Sequence, residues 1–133
     1  LDFRDPERGQ GEPEGRITRH RMLGEIKGRE SAELAPEGTL DIESADDFRG
    51  GFIRLLEAGI ERFFVDLGGV DYIDSTGLGS LMQLYREARD RGGEVRFYNV
   101  TPAVRDIFSL THLDKVITID ESREAAFAGA GGG

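Results

Sequence analysis

The segment YIDSTGLGSL, from Tyr72 to Leu81, sets a serine between an aspartate and a Thr-Gly pair, where an apolar run gives way to helical spacing. Ser75 therefore stands at a predicted helix start, where unpaired backbone N–H groups and the helix dipole favour an anion. Two roles fit. The Ser75 hydroxyl, or the Asp74 carboxylate beside it, can cap the helix, a contribution of about 1 kcal/mol, with Gly77 and Gly79 letting the first turn pack tightly. Alternatively, the hydroxyl can accept a phosphoryl group, which adds roughly −1.5 to −2 charges and bulk and can abolish docking to a partner without unfolding the domain. Thr76 is a neighbouring alternative acceptor.

Other chemistries have weaker support. The histidines His20 and His112 are not spaced as metal ligands, and no second residue forms a recognisable triad with Ser75. GLGSLM lacks the third glycine and the strand context of a phosphate-binding loop. Asp66, Asp71 and Asp74 suggest a magnesium pocket, but they lie on one strand-loop segment, whereas such a pocket needs carboxylates converging from separate strands. The reading is of a non-enzyme with no cofactor and no metal.

The elements that must position Ser75 follow from periodicity. RFFVDL is a short, nearly continuous apolar run ended by glycines, as expected of a central strand buried on both faces. The loop GGVDYID then leads to a helix from Ser75 to Arg91 with Leu78, Leu81, Met82, Tyr85 and Ala88 on one stripe. EVRFYNV repeats the strand pattern. TPAVRDIFSL repeats the helix start, with Thr101 as cap and Pro102 in the first turn. KVITID gives a last strand and ESREAAFAG a last short helix. Upstream, RITRHRML and EIKGRESAEL alternate loosely as strands do, and APEGTLDIE offers a turn and a short extended run. Ser44 followed by Asp46 and Asp47 predicts a capped helix carrying Phe48, Phe52, Leu55 and Leu56 inward. Gly50 and Gly51 inside it imply either a weak helix or a close packing contact. Alternating helices and strands predict an α/β fold with a largely parallel sheet, and function at the carboxyl ends of its strands, where DSTG lies.

Length permits one core: the 133 residues suit a flexible arm over 1–15, a domain over 16–128 and a flexible tail over 129–133. There is no cysteine, which excludes disulfides and thiolate metal sites. No apolar stretch reaches the roughly 18 to 20 residues that span a bilayer, and no charged-then-apolar leader opens the sequence, so a soluble cytoplasmic protein is expected. The net charge of −9 arises wholly beyond residue 30, because 1–30 carries seven basic and seven acidic residues. An acidic surface repels phosphate backbones and anionic lipid, which argues against nucleic-acid or membrane binding and leaves protein partners open.

The run from Phe63 to Ile119, with VDL, YIDSTGLG, RGG and NVTPAVRDIFSLTHLDKV in order, resembles the STAS domain of bacterial anti-sigma-factor antagonists, and GTLDIESADDF resembles that family's second strand and first helix. The resemblance implies a STAS fold, a mixed, mostly parallel sheet with helices packed mainly on one face. It implies that Ser75, the serine of the family's D-S-(S/T)-G-L-G motif, is phosphorylated by a GHKL-type serine kinase that is also an anti-sigma factor. It implies partner switching: the unphosphorylated protein binds that kinase and frees a sigma factor, the phosphorylated protein lets go, and a metal-dependent serine phosphatase resets it. The implied docking surface comprises Asp41, Tyr72, Ile73, Asp74, Ser75, Thr76, Gly77 and Leu78. A non-sigma output, or sensing of a nucleotide or small ligand, are the alternatives. The sequence departs from the family over GRESAELAPEGTLD, where Glu, Ser and Pro stand in place of the usual Val, Ile and Leu, and in the basic cluster Arg16, Arg19, His20 and Arg21.

Overall fold

The computed structural model describes the backbone of residues 15–20 and the whole of residues 31–130. Seven strands and four α-helices alternate along these residues: β1 (Gly15–His20), β2 (Ser31–Pro36), β3 (Gly38–Leu40), α1 (Ser44–Glu57), β4 (Arg62–Asp66), β5 (Val70–Ile73), α2 (Ser75–Asp90), β6 (Glu94–Tyr98), α3 (Pro102–Leu110), β7 (Thr118–Ile119) and α4 (Arg123–Gly129). The main sheet runs β1-β2-β4-β6-β7. β1 is antiparallel to β2, and every later neighbour is parallel.

This order accounts for the layering. The three parallel crossovers all advance across the sheet in one direction, and crossovers of one hand that advance together lay their helices on one face. There Phe52 of α1, Leu81 and Leu84 of α2 and Phe108 of α3 join Phe63, Val65, Val95 and Phe97 in the larger core. The opposite parity of β4 and β6, Phe64 and Tyr98, is covered by α4 through Ala126 and Phe127. β4 is thus buried on both faces, as its unbroken apolar run predicts.

The second face has a polar layer as well. The Tyr98 hydroxyl donates to Glu33, whose carboxylate also takes two hydrogen bonds from Arg123 at 2.8 and 3.1 Å. Burial first, then the Glu33 hydrogen bond, pushes the Tyr98 phenol well above its ordinary range.

Several sequence expectations need correction. Within the predicted loop GGVDYID, Val70–Ile73 form β5, which pairs in parallel with β3. Four residues beside two glycines are too few to show strand periodicity. Ser44 does not cap α1: it is the first helical residue and is buried, and its hydroxyl donates to the Thr39 carbonyl at 2.7 Å. The turn amides are taken instead by Asp41, which accepts from the backbone N–H groups of Glu43 and Ser44, each at 3.1 Å. Gly129 closes α4 against the Arg96 guanidinium and Ala130 is buried with Phe64 and Tyr98, while residues 131–133 of the expected tail lie outside the described residues. Gly51 is buried in α1, whereas Gly50 faces open space. Residues 1–14 of the predicted arm, and Arg21, lie outside the described residues, as do the side chains of Arg16, Arg19 and His20.

Candidate functional site

β3 and β5 extend the chain beyond the carboxyl ends of β2 and β4 and pair with each other, Thr39 opposite Tyr72 and Leu40 opposite Ile73. The alternation of a strand decides what each residue presents. Leu40 and Ile73 point into the core at 2% exposure, which turns Tyr72 outward at 53%. The ladder continues one bond further, from the Asp74 N–H to the Leu40 carbonyl at 3.2 Å, and there α2 begins.

The cap of α2 is made by Asp74 rather than by Ser75. Asp74 has extended backbone and its Oδ1 accepts from the Gly77 N–H at 2.9 Å, while its carbonyl accepts from Leu78. Asp74 is therefore the cap, and Ser75 is the first helical residue, exposed to solvent. By contrast Ser80, one turn on, is buried and donates to the Gly77 carbonyl at 2.7 Å. Asp74 Oδ1 thus takes one N–H of the first turn, and N–H groups at a helix start together with the helix dipole favour negative charge.

Gly77 makes this geometry possible. A Cβ there would lie 2.2 Å from the Leu40 carbonyl oxygen and 2.9 Å from Ile73 Cγ2, so the first turn of α2 can lie on β3 only without a side chain. One continuous unit thus runs from the Asp41 turn through Leu40 to the α2 cap. Within it the Asp41 carboxyl is held below the usual carboxylate range, chiefly by the Ser44 backbone N–H, with burial acting in the opposite direction.

Of the eight residues expected on a docking surface, Ser75 and Tyr72 are exposed, and Asp41, Asp74, Thr76 and Leu78 are half-buried. Ile73 and Gly77 are buried and lie beneath them. Asp41 and Asp74 use carboxylate oxygens on their own backbone turns. Sequence reasoning missed Ile42, which is 69% exposed. Its signal was an apolar residue set between Asp41 and Glu43 just after the inward Leu40. Of the aspartates weighed as a magnesium pocket, Asp66 accepts from the Gly68 N–H and the Asn99 amide, at 2.9 and 3.2 Å, while Asp74 caps α2. Among the described residues no three His, Asp or Glu side chains are grouped to hold a metal ion.

Comparison with known proteins places this arrangement. Residues 25–126 match the family model described as STAS domain. The chain is 30% identical over 87 residues to the anti-sigma-B factor antagonist of Bacillus subtilis, covering 65% of this chain and 79% of that one. Among solved structures it is similar to the Thermotoga maritima protein tm1081, with a TM-score of 0.72 and 28% identity over 75% of this chain and 86% of that one. The Bacillus cell fate determinant SpoIIAA, solved in unphosphorylated and phosphorylated forms, shares the fold at TM-scores of 0.57 and 0.58 and identities of 17% and 19%. The two SpoIIAA matches each cover 71% of this chain, and 82% and 86% of the respective SpoIIAA chains.

Proposed function

The chain belongs to the STAS domain family, and from that premise we propose that it is an anti-sigma-factor antagonist controlled by phosphorylation of Ser75. Unphosphorylated, it binds a GHKL-type anti-sigma kinase and frees the sigma factor. Phosphorylated on Ser75, it lets the kinase go, and a metal-dependent serine phosphatase restores it. It acts in the cytoplasm as substrate and binding module, without catalysis of its own.

One observation carries this reading: the Ser75 hydroxyl stands exposed at the first residue of α2 while Asp74 holds the cap. The hydroxyl can therefore gain or lose a phosphate without cost to the helix start. A phosphate there brings charge and bulk onto the surface that the partner must cover. A relative 30% identical and named an anti-sigma-B factor antagonist supports the assignment of output.

The test is incubation with candidate anti-sigma kinases and ATP, followed by intact mass and peptide mapping. One phosphate on Ser75 is expected. Ser75→Ala should accept none while still binding the kinase, and Ser75→Asp should bind more weakly, although one carboxylate copies a phosphate dianion poorly. Stoichiometric phosphorylation of the Ser75→Ala protein would overturn the assignment.

A further inference from the structure

The two segments that build the Ser75 end of the molecule, 37–48 and 66–85, carry five and three carboxylates and no lysine or arginine. Arg49, the first cation beyond the first segment, is paired with Asp46 at 2.7 Å. Glu37, Glu43 and Asp71 are exposed on this end. Beside Glu43 stands Ile42 and beside Asp71 stands Tyr72, 69% and 53% exposed. Large apolar side chains held in solvent suit burial by a protein partner, and the acidic rim that these two segments form favours a partner of opposite sign. The same rim repels nucleic-acid backbones and anionic headgroups.

We infer that this face docks a protein whose matching surface is cationic around an apolar socket for Ile42 and Tyr72, and that charge steers the encounter. The inference rests on the partner-switching reading and adds to it the chemistry of the kinase surface. It also assigns where the phosphate acts. A phosphate on Ser75 has the sign of the rim, so toward a cationic partner it does not slow the approach. It acts after contact, where a dianion must shed its water to enter a closed interface. Release then shows as faster dissociation with association undiminished.

Stopped-flow measurement of association and dissociation, using the full chain and the kinase that phosphorylates Ser75, tests this. Association should slow about tenfold or more between low and high salt. The rim variant Glu37→Gln/Glu43→Gln/Asp71→Asn should associate several-fold more slowly at low salt with dissociation little changed. Equal neutralisation elsewhere, in Asp90→Asn/Asp114→Asn/Glu124→Gln, should leave association nearly as it was. Ile42→Ala should speed dissociation roughly tenfold, as loss of a buried apolar anchor does. If the complex forms but its association ignores salt and the rim substitutions, or if phosphorylation slows association, the inference falls and the functional reading stands. If no anti-sigma kinase binds the unphosphorylated chain, both fall.

Discussion

A hydroxyl one residue inside a helix is free for chemistry only when something else holds the helix start, and here that something is Asp74. The two neighbours should therefore separate cleanly on mutation. Asp74→Ala removes the bond to the Gly77 N–H and should lower stability by about 1 kcal/mol, as loss of an N-cap does. Ser75→Ala removes an exposed group and should stay within about 0.5 kcal/mol of the parent. Urea denaturation of both variants checks this; a Ser75→Ala loss as large as that of Asp74→Ala would mean the hydroxyl shares the cap. The motif DSTG announced a capped helix start, but not which oxygen capped it. Sequence could not decide because Asp74 and Ser75 are both good caps, and the choice depends on which of them continues the β3-β5 ladder.

At the scale of elements, glycines test whether helix propensity or packing governs. Replacing a helical glycine by alanine gains about 1 kcal/mol of propensity where space allows. At Gly50 nothing lies within 4 Å of the added Cβ, so Gly50→Ala should stabilise by about 0.5–1 kcal/mol. At Gly77 the Cβ would sit 2.2 Å from a backbone oxygen that cannot swing aside, and overpacking of about 1–3 kcal/mol should outweigh the propensity. Gly77→Ala should thus destabilise, and by prising α2 from β3 it should also shift the amide resonances of Leu40 and Asp74. Opposite signs for two glycine-to-alanine changes in helices are the expected outcome of thermal melts; equal signs would show that the α2 start yields more readily than its contacts imply. Helices α2 and α3 were legible because long amphipathic stripes and capping residues persist whatever surrounds them. β5 was not, because a four-residue strand is defined by its partner β3 rather than by its own pattern.

For the molecule as a whole, the two faces of the sheet are sealed differently. Among the described residues the first is apolar and carries three helices, whereas the second is closed by one seven-residue helix over the Tyr98–Glu33–Arg123 layer. That layer has a pH consequence. Tyr98 is held above its ordinary range in the folded chain, first by burial and then by Glu33, so its contribution is fully present below the unfolded value near 10 and is lost as pH rises toward the folded value. Tyr98→Phe should cost about 0.5–1.5 kcal/mol near neutrality. The gap from the parent should narrow above about pH 10, because only the parent has a phenol at position 98 to lose. Urea midpoints across pH 8 to 11 read this directly; a gap that widens with pH would show the phenol ionising within the fold.

The sequence by itself determined the alternation of helices and strands, the central position of the RFFVD strand and the location of Ser75 at a helix start. These depend on patterns local enough to survive without tertiary context, namely apolar period, capping chemistry and glycine stops. Tertiary structure alone decided that Asp41 and Asp74 are engaged in their own turns, that Ile73 and Gly77 lie beneath the surface they were expected to form, and that Ile42 stands out from it. Each of those outcomes is set by contact between β3 and β5, segments separated by some thirty residues of chain, and no local pattern encodes which side of such a pairing a residue will face.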